Sequence, residues 1–353
     1  MKPADYSDDP VQFIAKGASP DDVTQGRLGD CWLVSALSVL AGRDDLITGG
    51  LKTRKNFRAT KEDADKFSKG VYPPLFHIYR KKGIFVFRIF KEFKWMYVIV
   101  DERLPCENNR PVFGHCKNIT ENWVNLIEKA YAKLHGCYEA LISGFIDDAM
   151  ADLTGFVAEK IILFDKATGK FPHKNLGDKD KFWQYLLDRV KDKCLMGCSK
   201  LSTTGESFDP KTGIIGGHAY ALLDAFEIPD PDMENPRKVH RIMKVRNPHG
   251  NGEWKGKWAD VPMSDEMDNH SEAIDKYLES LPEDERIVIG ENDGEFFMNY
   301  QSWREQYTNM FICIDFPDEW SGIRYFAQWD ETCSGGLYNP FNDENCTRWA
   351  NNP

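Results

Sequence analysis

Near Ser143–Gly144 the hydrophobic pattern of the chain changes period. Before this point ENWVNLIEKAYAKLHG carries apolar residues at Trp123, Leu126, Ile127, Ala130, Tyr131 and Leu134, the spacing of an amphipathic helix that stops at Gly136. After it, GGHAYALLDAFEI and KVHRIMKVRNP read as strands, joined by the turn-rich loop PDPDMENPR. A chain of 353 residues is too long for one comfortable hydrophobic core. The change of period is therefore expected to separate two bodies of an α+β protein. A helical first lobe is expected over residues 1–143 and a lobe of antiparallel β structure over 144–316. Residues 317–353, with Trp320, Trp329, Gly335-Gly336 and Trp349, read as a linker and the start of something larger.

Within the first lobe, GIFVFRIF and WMYVIVDERLP flank KEFK and predict a β-hairpin. Residues 49–75 are basic and aperiodic, and irregular structure or short helix is expected there. In the second lobe KFWQYLLDRVKDK predicts a helix, and GEFFMNYQSWREQY with MFICIDF continues a mainly β unit.

Charge and composition exclude several functions. Forty-five basic against 56 acidic residues give a net charge of −11, which speaks against a nucleic-acid surface, since that needs a basic face. The N-terminus MKPADYSDDP has no apolar signal core, and no apolar run approaches membrane-spanning length. A soluble cytoplasmic protein is expected. The nine cysteines are odd in number and follow no repeating frame, so free thiols are expected. Cys194 with Cys198, and Cys106 with Cys116 near His115, lack a second ligand pair at zinc-knuckle spacing.

One thiol stands apart. In DVTQGRLGDCWLVSALSVLAG, residues 22–42, Cys31 opens an apolar helical run that ends near Gly42, with Asp30 as a possible cap and Trp32-Leu33 burying the helix behind it. A thiolate is the nucleophilic form of cysteine, and a helix N-terminus or a nearby imidazolium favours it. Of eight histidines, His218 has the most telling setting, because it follows Gly216-Gly217 and opens a strand. Asn247 ends the next strand, before Pro248. An amide oxygen there can accept the imidazole N–H and hold the ring toward the thiol, a nucleophile–base–orienter arrangement. Gln25, six residues before Cys31, can donate to an oxyanion together with the Cys31 backbone N–H.

Taken in order, Gln-Gly-Arg-Leu-Gly-Asp-Cys-Trp (25–32), Leu-Ile-Glu-Lys-Ala-Tyr-Ala-Lys (126–133), Gly-His-Ala-Tyr (217–220), Arg-Asn-Pro-His-Gly (246–250), Glu-Trp-Lys-Gly-Lys-Trp-Ala-Asp (253–260) and Asp-Gly-Glu-Phe (293–296) resemble the protease core of the calpains. The resemblance runs from about residue 10 to residue 316. It implies two papain-like subdomains, the first supplying Cys31 and the second His218 and Asn247, with a cleft that binds protein substrates as extended peptide. Gly144 and Gly217 would line that cleft and bond to the substrate backbone. The tail is similar to the entry into a β-sandwich domain, so further domains are expected in the full-length protein.

The resemblance also implies two calcium ions, one per subdomain. Aligned without gaps from Cys31, the first would use the carbonyls of Ala15 and Gly17 and the carboxylates of Asp22 and Glu121. The second would use Glu253, Asp260, Asp293 and Glu295 with a carbonyl at Glu291. All six acids are present at the six matched positions, and oxygen donors of this kind suit calcium. Two positions depart from the family pattern. His249 stands where a tryptophan usually shields the Asn–His bond and blocks the cleft without calcium. Pro20 stands where an arginine usually pairs with the acid equivalent to Glu295, so coupling between the two ions is expected to be weaker or to use another residue, such as Lys16 or Arg27. The leading expectation is a calcium-dependent intracellular cysteine endopeptidase performing limited proteolysis. The alternative is a catalytically weak calcium-sensing binding module, which the His249 substitution favours. A transglutaminase-type enzyme would carry Asp rather than Asn as orienter.

Overall fold

The computed structural model describes residues 1–15, 17–49, 69–163, 177–229, 239–259, 276, 279–280 and 292–315. Met1–Asp315 form one compact unit, and Phe316–Pro353 form a second. The latter, and with it the segment read as a linker, lies outside the described residues, as do residues 50–68 of the stretch read as irregular.

The fold is mixed α+β, helical in its N-terminal part and followed by an antiparallel sheet, as the change of period led one to expect. Helix α1, Cys31–Ala41, is apolar on every face, and every residue from Trp32 to Ala41 is buried. A helix without a polar face must sit inside a core rather than on it. Cys31 alone is half-buried, so the first turn is the only part of α1 that reaches the surface. Strands β1 (Ile84–Lys91) and β2 (Lys94–Asp101) form the expected hairpin, with Lys91 opposite Lys94. Glu92 and Phe93 at its turn both take positive φ, the conformation that a two-residue hairpin turn requires. Helix α2, Trp123–His135, buries the apolar stripe read from the sequence and ends at Gly136. Helix α3, Ile146–Thr154, was not anticipated: IDDAMADLT is short and begins where the pattern turns toward strands.

The sheet contains β3 (Val157–Ile162), β4 (Leu195–Lys200), β5 (His218–Pro229), β6 (Val239–Arg246), β7 (Glu295–Asn299) and β8 (Asn309–Ile314). Their spatial order is β7-β6-β5-β4-β8-β3, antiparallel throughout. Helices α4 (Lys179–Lys191) and α5 (Tyr300–Gln306) accompany it. Asp178 caps α4, its carboxylate accepting from the N–H groups of Asp180 and Lys181.

Two apolar clusters result. One gathers α1, α2, α3 and the hairpin, and includes Leu195, Ala219, Ala221, Phe311 and Cys313 from the sheet. The other gathers the opposite sheet face with Trp183, Trp254 and Trp303. The alternation of strand side chains explains the split: Ala219 and Ala221 enter the first cluster, and Tyr220 and Leu222 the second. Helix α1 thus packs on β5, and the Ser35 hydroxyl donates to the Ala219 carbonyl at 3.0 Å. Ser35 lies one turn beyond Cys31, and Ala219 directly follows His218. This bond sets the register between the two residues on which the site depends.

Candidate active site

The two elements converge at their starts. Cys31 opens α1, and His218 opens β5. The Cys31 sulfur and the His218 ring lie within 4.8 Å of each other, together with the carboxylate of Glu206. His218 is 2% exposed and Asn247 is fully buried. The Asn247 amide is fixed by three contacts: its Nδ2 donates to the carbonyls of Asn251 and Gly252 at 2.8 and 2.9 Å, and its Oδ1 accepts the His249 N–H at 3.1 Å. Oδ1 must therefore accept from His218 Nε2, at 2.9 Å. The other ring nitrogen, Nδ1, faces Cys31 and lies 2.8 Å from Glu206 Oε1. Burial alone would lower the basicity of this imidazole. Hydrogen bonds and charge from Cys31 and Glu206 outweigh it and push the His218 pKa up to about 9. In turn, bonding to His218 holds the Glu206 carboxyl below its usual range.

Glu206 was not picked out from sequence. It lies in the loop between β4 and β5, where no periodicity marks it, and only the return of that loop over His218 gives it a role. Gly217 makes the return possible. Its φ is +72°, and a Cβ there would come within 2.4 Å of the Gly205 carbonyl oxygen. The close approach expected at Gly217 is thus made by the chain itself. The Gly217 N–H is also bonded to the Lys200 carbonyl at 2.7 Å. Gly144 packs on the Trp32 indole, where a Cβ would sit 2.4 Å from the ring. The indole Nε1–H donates to the Leu141 carbonyl at 2.8 Å.

Gln25 is buried, and its backbone N–H donates to the Pro248 carbonyl at 2.7 Å, beside Asn247. Its side-chain Nε2 donates to the Leu28 carbonyl at 2.7 Å. One amide hydrogen is therefore committed, and the second remains for another acceptor. Asp30 occupies the N-cap of α1 but makes no capping bond. Its side chain turns instead to Glu128 of α2. Both carboxyls are buried, and Glu128 Oε1 accepts the Gly114 N–H at 2.8 Å. Burial raises the Asp30 pKa to about 6, and burial with the neighbouring Asp30 charge raises that of Glu128 well above the usual range. Asp30 directly precedes Cys31, so the pair adjoins the start of α1.

His249 lies against His218, with ring centroids 4.4 Å apart at 46°. Burial and the charge on His218 lower its pKa to about 4, so it covers His218 as a neutral ring.

The acids matched to calcium positions fall into two groups. Asp22 and Glu121 both act electrostatically on Cys116 and so share one neighbourhood. Their segments are tied by Lys117 N–H to the Asp22 carbonyl at 2.7 Å and Gln12 N–H to the Thr120 carbonyl at 2.8 Å. Ala15 and Gly17 lie on the same N-terminal segment, and Gly17 has φ +110°. Asp22 is shifted upward by burial. In the second group Glu253 Oε1 accepts the Gly294 N–H at 3.0 Å and Asp293 Oδ1 accepts the Glu295 N–H at 2.9 Å. Burial raises both pKa values, and each is raised further by a neighbouring acid. Hard anions that are wholly or partly buried beside one another are a donor set suited to a divalent cation. Glu295 differs, because Lys244 Nζ already lies 2.6 Å from its carboxylate. Asp260 and Glu291 lie outside the described residues.

Arg27, one of the two cations expected to replace the family arginine, does not do so here. Arg27 pairs with Glu107, and Lys16 lies outside the described residues. Arg246, the residue before Asn247, spans the two groups instead. Its guanidinium donates to the Asp21 carboxylate at 3.2 Å and to the Asp21, Val23 and Asp293 carbonyls at 3.0 to 3.1 Å, and lies 3.8 Å from Glu295.

The model of the calpain family of cysteine proteases matches residues 1–314. The chain belongs to that family. It is 30% identical to the human calpain-2 catalytic subunit over 339 residues, covering 95% of this chain and 41% of the relative. It is 30% identical to mouse calpain-5, covering 96% and 51%. Against the calpain-type cysteine protease DEK1 of Arabidopsis thaliana it is 29% identical, covering 98% of this chain and 14% of the relative. The chain thus spans at most about half the length of these relatives, which carry further sequence beyond the matched part. Among the described residues no helix is long and apolar enough to cross a membrane.

Proposed function

We propose that this chain is the catalytic part of an intracellular, calcium-dependent cysteine endopeptidase that cuts protein substrates bound as extended peptide. The observation that carries the reading is His218, buried and held by Asn247 on one nitrogen while the other faces Cys31. In this reading Cys31 Sγ attacks the peptide carbonyl and His218 Nδ1 delivers its proton to the leaving amine. The same nitrogen then takes a proton from the water that releases the acyl group. Asn247 keeps the ring facing the sulfur through both steps. The uncommitted Gln25 amide hydrogen and the Cys31 N–H at the helix start stabilise the oxyanion. Gly144 borders the cleft beside Trp32. With the Gly217 N–H already engaged, its carbonyl remains for substrate.

A division into lobes near residues 143–144 belongs to this reading, with the site between helix start and strand start. Asp22 and Glu121, with the Ala15 and Gly17 carbonyls, would hold one calcium ion. Glu253, Asp293 and Glu295, with Asp260 and a carbonyl at Glu291, would hold the other. Bound calcium would neutralise these acids and draw their segments together. Arg246 joins the same two groups, so part of that alignment is built into the chain.

Cleavage of casein and of a fluorogenic peptide, followed across a calcium titration, tests the reading. Activity that rises with calcium and vanishes in Cys31→Ser is expected. Equal cleavage by Cys31→Ser would overturn the catalytic assignment, and a flat calcium response would overturn the calcium dependence alone.

A further inference from the structure

We propose that Cys31 Sγ, His218 Nδ1 and Glu206 Oε1 form a binding site for one divalent transition ion of the Zn²⁺ class, with water as the fourth ligand. One donor atom from each of the three side chains already lies within 4.8 Å of the others, and Nδ1 and Oε1 are 2.8 Å apart. Tetrahedral Zn²⁺ with sulfur, imidazole and carboxylate ligands separates its donors by about 3.4 to 3.6 Å. The contact between Nδ1 and Oε1, now 2.8 Å, needs only to open slightly. Glu206 can give that much, since its side chain is 45% exposed while that of His218 is fully enclosed.

The ring is prepared for this role. With the Asn247 amide fixed by Asn251 and Gly252, His218 Nε2 must carry its hydrogen toward Asn247. The lone pair of the neutral imidazole then lies on Nδ1, pointing at the sulfur and the carboxylate. Metal-bound histidines are oriented in the same way by an acceptor on the second nitrogen. The half-buried sulfur and half-exposed carboxylate leave one side open for a water molecule. Sulfur and imidazole together select a borderline or soft ion and disfavour calcium.

Without the metal, His218 Nδ1 and Glu206 Oε1 share a hydrogen bond at 2.8 Å. The metal would take its place, forming bonds to sulfur, nitrogen and oxygen and releasing the Nδ1 proton to solvent. Because the ligands come from α1, the loop after β4 and the start of β5, no sequence spacing could disclose the site. Its consequence rests on the catalytic reading above: a bound ion would occupy nucleophile and base together and stop cleavage.

Cobalt(II) serves as the probe, added to the protein at saturating calcium so that carboxylate-only sites are filled. A thiolate-to-cobalt absorption band should grow to one equivalent, and Cys31 labelling by iodoacetamide should slow in parallel. Cys31→Ser should lose the band, and Glu206→Gln should weaken cobalt binding at least about tenfold. Glu206 is exposed enough for that substitution to leave the fold intact. No band at one equivalent, a band that persists in Cys31→Ser, or unchanged affinity in Glu206→Gln would each overturn the site. If cobalt binds as stated but the calcium-loaded chain cleaves no peptide, the proteolytic reading falls and the metal site stands. Cleavage without cobalt binding gives the converse.

Discussion

Carboxyl groups lie behind Cys31 and in front of it, in opposite circumstances. Behind it, Asp30 and Glu128 are enclosed, and burial pushes both toward the neutral acid. In front of it, Glu206 is half-exposed against an imidazole and is held as the anion. The residue types are nearly the same; solvent and the neighbouring charge decide what they do. Burial pushes the rear pair toward the neutral acid, and the two carboxyls are expected to share a proton. The front carboxylate acts on the chemistry through His218.

The largest effect should separate the two by stability. Glu128→Ala strips the Gly114 N–H of its acceptor and Asp30 of its partner. Urea unfolding should show a loss of about 3 kcal/mol. Glu206→Ala should change stability by no more than about 0.5 kcal/mol. Equal losses would break the contrast.

The next effect concerns pH. Carboxyls with raised pKa bind more protons in the native state than in the unfolded state, so their contribution favours folding at low pH. It is lost as pH rises from the ordinary carboxylate range through about 6, the Asp30 value. Glu128→Gln keeps an oxygen for Gly114 and offers an N–H to Asp30. Its stability should fall less steeply than that of the wild type over the same window, as thermal melts at several pH values would reveal. A steeper fall would refute the shared proton.

A smaller effect reports on the front. Glu206→Gln removes one of the two groups that raise His218, so the imidazole should lose its proton below about 9. The alkaline limb of Cys31 alkylation should move to lower pH, and a limb that moves upward would assign the shift elsewhere. The smallest effect is expected from His249→Trp. His249 is neutral above about 4 and adds no charge to its neighbour, so the limb should stay where it is. A displacement like that of Glu206→Gln would mean that the second ring, not the carboxylate, governs His218.

Much of this was legible in the residues. Cys31 stands at a boundary between turn chemistry and an apolar run, and such boundaries are local. The strands that begin at His218 and end before Asn247 alternate clearly, and the hairpin of residues 84–101 carries β-branched and aromatic residues on both sides of a polar turn. Helix α3 was missed because nine residues give too little period to separate helix from strand. Asp30 was read as a cap from its position, but the nearby Glu128 competes for its carboxyl and wins. Arg246 was read only as part of a motif, and its reach to Asp21 and Val23 crosses more than two hundred residues of chain.

The sequence by itself determined the α+β class, the start of the nucleophile helix and the residue types able to carry acyl-transfer chemistry. These depend on periodicity and on neighbours a few positions apart. The tertiary structure decided which carboxylate meets the imidazole, which carboxyls are buried together and which cation links the acidic segments. Those outcomes depend on burial and on charges a few ångströms away, and both arise only when distant segments pack together.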